Sequence, residues 1–187
     1  MTTKEIINEI LFESFYDNKS INFVVKQDEK KDRRLKKLMD YSIFMGENFG
    51  KIYLTEDKKA CAIVLDPSKK KTTLKAILWD IKLAFGVIGI GNVGKVMNRE
   101  STLKKYHPKT PFIHLWYIGV RNKEQSKGLG SKLLNQIIND YPNKDIYLET
   151  STERNFPFYK KHGFELVNDL VEDLGYHLHM YIHKSKK

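Results

Sequence analysis

The stretch Phe112-Ile113-His114-Leu115-Trp116-Tyr117-Ile118-Gly119-Val120, followed closely by Gln125-Ser126-Lys127-Gly128-Leu129-Gly130, decides how this chain folds. Its first part is aromatic and β-branched, the composition of a pleated strand. Its last part opens the segment Gly128 to Tyr141, where Leu133, Leu134, Ile137 and Ile138 recur at helical spacing. Between strand and helix, glycines let the backbone curl so that successive N–H groups point into one concavity, and the helix adds the positive end of its dipole. That combination is a site for a pyrophosphate, with Lys127 supplying charge and Ser131 a hydroxyl.

Further regular elements follow from pattern on both sides. Downstream, Asp145 to Thr150 reads as a strand, Phe156 to His162 as a short helix, and Phe164 to Leu170 with Tyr176 to His183 as a closing antiparallel pair. Upstream, Ile6, Ile7, Ile10, Leu11 and Phe15 form the apolar stripe of a helix that Thr2 or Thr3 would cap. A second helix spans about Asp28 to Glu47, and Lys51 to Thr55 with Ala60 to Leu65 form a hairpin. Thr73 to Ser101 is mostly helical, broken at Gly86, Gly89, Gly91 and Gly94. Strands and helices in this order, over 187 residues, describe one α/β domain.

A rival glycine motif lies in that middle segment. Gly89, Gly91 and Gly94 satisfy G-x-G-x-x-G, and Lys95 nearly completes a phosphate loop, yet Val96 stands where a magnesium-holding hydroxyl is required. A helix, Leu74 to Phe85, precedes it where a dinucleotide fold needs a strand. These glycines therefore read as a helix break.

Composition narrows the partners. A hydrophobic share of 41% excludes a disordered chain. Thirty-three Lys and Arg against 23 Asp and Glu give +10, which admits a nucleic acid, a membrane surface or a phosphorylated cofactor. The runs Lys30 to Lys37 and Lys69 to Lys71 lack interleaved aromatics, so they read as solvated faces and no nucleic acid is expected. The uncharged run Leu83 to Gly94 is shorter than the roughly 20 residues of a membrane span, and no signal peptide is visible, so no membrane partner is expected. The single Cys61 excludes a disulfide framework and points to a reducing, cytoplasmic setting; as an acetyl carrier it is the weaker reading beside a small buried residue. His177 and His179 are two apart on a strand, but nothing nearby in sequence completes a metal site, and no metal is expected. Trp79, Trp116 and Tyr117 are candidates for an aromatic substrate wall or for core.

Val120, the Q-x-x-G-x-G of Gln125 to Gly130, the strand end Leu148-Glu149-Thr150, Asn155, Phe158-Tyr159 and Gly163-Phe164 together resemble the GNAT superfamily of acetyl-CoA-dependent N-acetyltransferases. Within it, Glu149-Thr150-Ser151, Arg154-Asn155, Pro157-Phe158-Tyr159 and Gly163-Phe164 are most similar to the puromycin N-acetyltransferase branch. The close resemblance runs from about Phe112 to Leu166. It implies a GNAT fold over residues 1–187, a mixed, bent sheet with splayed central strands flanked by helices. It further implies that Ile118, Gly119 and Val120 pair through their backbone with the pantetheine arm of coenzyme A, with an N–H near Val120 for the thioester oxygen. Gln125, Ser126, Lys127, Gly128, Leu129, Gly130 and Ser131 would hold the phosphates, Asn155 the arm, and Tyr159 would stand near sulfur as general acid.

The implied reaction moves an acetyl group from acetyl-CoA, as co-substrate, to a primary amine by direct attack in a ternary complex. The branch resemblance points to a small-molecule acceptor. A protein lysine or N-terminal acetyltransferase is the alternative, and an acyl-CoA or nucleic-acid binding module without turnover is the second. Oligomeric state stays open between monomer and homodimer. For the general base two residues compete, with water alone as the third alternative. His114 lies six residues before Val120, so simple alternation places both on one face of the strand. Glu149, at the end of its strand, faces the cleft mouth in such a fold.

Overall fold

The computed structural model describes residues 1–170 and 175–185. Helix α1, Thr3–Phe15, starts at a capping box: Thr2 accepts from the Glu5 N–H at 3.3 Å, and the Glu5 carboxylate accepts from the Thr2 N–H at 2.8 Å. Its Ile6, Ile7, Ile10 and Leu11 are buried. A short helix, α2 (Lys19–Val24), is capped by Asn18 and was not evident from periodicity. Helix α3, Lys31–Phe49, buries Leu35, Leu38 and Met39 and turns its lysines outward, as expected of a solvated basic face.

Six strands form one sheet: β1 (Gly50–Leu54), β2 (Ala60–Leu65), β3 (Phe112–Val120), β4 (Asp145–Thr150), β5 (Glu165–Leu170) and β6 (Leu178–His183). Their order is β1-β2-β3-β4-β6-β5, antiparallel throughout except for β3 and β4. Helices α1 and α3 cover one face, where Cys61, Ile63 and Tyr117 meet Ile10, Leu11 and Leu35. Helix α6, Leu129–Asp140, covers the other, where Leu133, Leu134 and Ile137 meet Ala62, Val64, Ile113 and Leu115. Each fully buried aliphatic side chain of these layers contributes about 1.5–3 kcal/mol of transfer free energy. Helices α4 (Leu74–Leu83) and α5 (Val93–Lys105) meet at a 99° bend whose break is Gly89. Of the other expected breakers, Gly86 lies in a helical turn, Ala84–Ile88, and Gly94 inside α5, because neither needs a left-handed backbone there. Helix α7, Phe156–Lys161, follows β4.

Two features of β3 build the site. Its pairing with β4 stops after Phe112↔Asp145, Ile113↔Ile146 and His114↔Tyr147; beyond that, β3 keeps only β2 and β4 keeps only β6, so the central strands splay. The second feature is a bulge. Ile63 pairs with Tyr117 and Val64 with Leu115, which leaves Trp116 as an extra residue. One extra residue reverses the alternation of faces. Ile113, Leu115, Ile118 and Val120 all pack toward α6, whereas Tyr117 packs toward α1 and α3. His114, between Ile113 and Leu115, therefore lies on the face opposite Val120, and the simple same-face expectation fails at Trp116.

Candidate active site

A cavity of ≈ 1170 Å³ runs through the splay and is lined from both sides of the sheet. On the α6 side its wall is the turn after β3. Ser126 (φ 63°) and Gly128 (φ 83°) both hold left-handed backbone, and Gly128 caps α6. This alternation curls the chain into an anion-binding concavity at a helix N-terminus. Gln125 donates through Nε2 to the Val120 carbonyl at 3.4 Å and to Asn122 Oδ1 at 3.1 Å, tying the loop to the strand end. Ile118, Gly119, Val120, Gln125, Ser126, Gly128, Leu129, Gly130, Ser131, Asn155 and Tyr159 all line the cavity. Lys127 does not; its ammonium pairs with Glu124 at 3.1 Å, and Lys59 shares that carboxylate at 3.2 Å. The charge expected to face a phosphate is thus held by the loop itself. Tyr159 is buried, and its hydroxyl makes no hydrogen bond among the described residues; burial raises the phenol above its ordinary 10.0.

On the α1 and α5 side the two rivals for the base are one unit. His114 Nε2 and Glu149 Oε2 lie 2.7 Å apart, with 14% and 11% of each side chain exposed. His107 Nε2 stands 3.7 Å from the other carboxylate oxygen. Burial pushes His114 down, but the Glu149 charge and hydrogen bond outweigh it and leave the imidazole above 6.5. Burial pushes Glu149 up, and here too the neighbours win: His114, His107 and Arg99 hold the carboxyl well below 4.5. With Glu149 ionised, His114 donates through Nε2, so its Nδ1 is the free acceptor; that atom makes no hydrogen bond among the described residues.

Arg99 is buried beside them. It donates to the Tyr176 hydroxyl at 2.9 Å and to Ser20, and it pairs with Glu100. Arg99, Glu100, His107, His114 and Glu149 all line the cavity, joined by Tyr41, Trp116 and Tyr117. One half of the cavity is thus a backbone cradle, and the other is an aromatic and charged wall carrying a proton acceptor.

A family model described as an acetyltransferase (GNAT) domain matches residues 82–166. The chain superposes on a solved histone acetyltransferase HPA2 and related acetyltransferase from Corynebacterium glutamicum with a TM-score of 0.69, at 19% identity, covering 100% of this chain and 94% of that one. An N-acetyltransferase from Staphylococcus aureus Mu50 is similar at a TM-score of 0.61 and 17% identity, over 96% of this chain and 94% of that one. The C-terminal condensation domain of Ebony, solved with beta-alanyl-dopamine, gives 0.64 at 9% identity, over 96% and 92%. The fold is that of the GNAT acetyltransferases. Domain match and fold together support an acyltransferase enzyme of GNAT type.

In the GNAT frame the other candidates separate. Cys61 sits in the α1–α3 core, outside the cavity lining, and burial pushes its thiol up to about 12, which removes it as an acetyl carrier. Trp79 stacks on Phe44 with ring centroids 5.1 Å apart and does not line the cavity, whereas Trp116 and Tyr117 do. Contrary to the sequence expectation, a carboxylate does join His177 and His179: Asp169, paired with His179 across β5 and β6, brings its ligand atom within 4.8 Å of theirs. Sequence distance had hidden it. His107, Arg99 and Ser20 were also missed, because they come from α5, the turn after it and α2, none of which carries a local motif.

Proposed function

We propose that this protein transfers the acetyl group of acetyl-CoA to the primary amine of a small molecule by direct attack in a ternary complex. The single observation that carries the reading is the His114–Glu149 pair, which faces the splay from the side opposite the phosphate-binding turn, in one cavity. The residues present fit coenzyme A. The left-handed turn at Ser126 and Gly128 presents amides to the phosphates, and the splayed edge of β3 at Ile118 to Val120 is free of β4 to meet the pantetheine arm. Asn155 adds a side-chain amide to the same wall.

Acetyl transfer requires a neutral amine, an anion-stabilising donor and a leaving thiol. His114 Nδ1 takes the proton of the attacking amine, and Glu149 stabilises the imidazolium that results. The nitrogen bonds to the thioester carbon, negative charge gathers on its oxygen beside the Val120 backbone, and the C–S bond then breaks as the carbonyl re-forms. Tyr159 hydrogen-bonds the departing sulfur. A thiol ionises near 8.5 and the buried phenol above 10.0, so complete proton transfer from Tyr159 runs uphill; it acts mainly as a donor to the thiolate. The aromatic wall of Tyr41, Trp116 and Phe15 suits a ring-bearing amine, in line with the puromycin-branch resemblance of residues 149–164.

Thiol release from acetyl-CoA, followed across aryl amines, alkyl amines and peptides, tests the proposal. Turnover with ring-bearing small amines is expected. Turnover with peptides alone would move the acceptor to protein lysines or N-termini, and acetyl-CoA binding without release from any amine would leave a binding module.

A further inference from the structure

Helix α4 buries Ala76 and half-buries Trp79 and Leu83, while Leu74, Ile77, Leu78 and Ile81 on its opposite side are exposed at 84%, 42%, 58% and 48%. At 100° per residue these four fall on one stripe, so α4 has two apolar faces and only one is covered. Exposure continues past the helix at Phe85 and Ile90, and into α5 at Met97. Among the described residues, most of the exposed large apolar side chains belong to this one segment, a concentration that marks an interaction surface.

Charge selects the partner. Between residues 67 and 97 the chain carries Lys69, Lys70, Lys71, Lys75, Lys82 and Lys95, all exposed, and a single acid, Asp80, which accepts from the Tyr41 hydroxyl at 2.8 Å. Lys75 and Lys82, seven residues apart, share one flank of the stripe, and Lys69 to Lys71 precede its first turn. Lysine is depleted from protein interfaces, which argues against a second copy as the occupant. An apolar stripe edged by lysines is the pattern of a helix lying in the headgroup region of an anionic bilayer. The hydropathy of Leu74–Ile88 and Ile90–Lys105 together would suit a span, but the 99° bend at Gly89 prevents a single rod and leaves α4 to lie flat.

Against the expectation of no membrane partner, which rested on span length, we propose that the outer face of α4, extended by Phe85 and Ile90, docks this protein on an anionic lipid surface. The inner side of the same helix contributes Leu83 to the cavity, so the bilayer would lie against the outside of a cavity wall. This also gives a role to Gly89, whose left-handed backbone (φ 77°) stands at the bend.

The test is flotation of the full chain with vesicles of phosphatidylcholine alone and of phosphatidylcholine mixed with phosphatidylglycerol. Binding to the anionic vesicles is expected, weakened by salt and by about fivefold for each of Lys69→Gln and Lys71→Gln. Leu78→Ser with Phe85→Ser is expected to abolish it while circular dichroism stays unchanged, because both side chains are exposed. Absence of binding to anionic vesicles would overturn the proposal. So would binding that Leu78→Ser with Phe85→Ser leaves intact, which is surface adhesion by lysines alone. A dimer in light scattering that the same double substitution dissociates would assign the stripe to a second copy.

Discussion

Replacing Glu149 by glutamine removes a charge and keeps a shape, and thereby separates the electrostatics of the His114 pair from its geometry. Burial lowers the His114 imidazole, while Glu149 raises it, helped by Glu100 and opposed by Arg99. In Glu149→Gln the largest raising influence is gone and burial prevails, so the His114 pKa falls. If the neutral imidazole is the base, the acidic limb of kcat/KM moves to lower pH in the variant. Stability follows the same pair with opposite signs. Glu149 is depressed from 4.5, so its contribution is present above pH 4.5 and is lost as pH falls through the folded value. His114 is raised from 6.5, so its contribution is complete below pH 6.5 and is lost as pH rises through the folded value. Both are present together between pH 4.5 and 6.5. In that window the substitution exchanges a charged hydrogen bond for a neutral one, a loss of about 1–1.5 kcal/mol. For a chain of this size that lowers Tm by about 2–6 °C. Melting at about pH 5.5 and about pH 8.5, with kcat/KM measured across the same range, reads both effects. An unmoved acidic limb, together with a melting difference equal at the two pH values, would refute the coupling.

Other substitutions test the remaining walls. Tyr159→Phe removes a hydrogen bond to the leaving sulfur and should lower kcat about tenfold with the KM for acetyl-CoA nearly unchanged, in steady-state thiol-release assays. Gly128→Ala places a side chain at φ 83° in otherwise open space, so it should cost about 1–2 kcal/mol by denaturant unfolding and raise the KM for acetyl-CoA. Gly119→Ala puts a Cβ 2.8 Å from Ser14 Oγ, the group that donates to the Val120 carbonyl at 3.1 Å. Displacing Ser14 should cost about 1–3 kcal/mol in urea melts, and binding of acetyl-CoA by calorimetry should weaken as the strand end shifts.

What could be read from the sequence was whatever local chemistry determines. Strands β3 and β4 match their expected bounds because aromatic and β-branched residues fill them, and α6 because its apolar residues recur every three or four positions. The turn proposed to hold phosphate was visible because Gly128 meets a backbone demand at its own position. Long-range terms were not visible. Helix α2 has only six residues and is held by its Asn18 cap and by contacts from Asn18 and Ser20 to Thr152 and Ser151. Nothing near Trp116 announces a bulge, since the extra residue is defined against the register of β2. The misplacement of His114 relative to Val120 followed from that alone. The same blindness made His114 and Glu149 look like rivals, because their separation of 35 residues hides a contact that the parallel β3–β4 pairing creates.

The bulge gives the site its division of labour. Without it, His114 would face α6, on the side where Ile118 and Val120 pack against the helix that follows the left-handed turn. With it, His114 turns toward α1 and α5 and meets Glu149, which the β4 alternation puts on the same face as Tyr147. The splay opens directly beyond the His114↔Tyr147 pair, so the last hydrogen-bonded rung of β3 and β4 carries the proposed base on its edge. In the proposed reaction, groups that serve the donor through backbone atoms and the turn approach a thioester from one face, and the proton acceptor approaches the amine from the other. A side chain competing for the channel proposed for pantetheine would obstruct transfer, and the single extra residue at Trp116 puts the imidazole on the opposite face while leaving it within the same cavity.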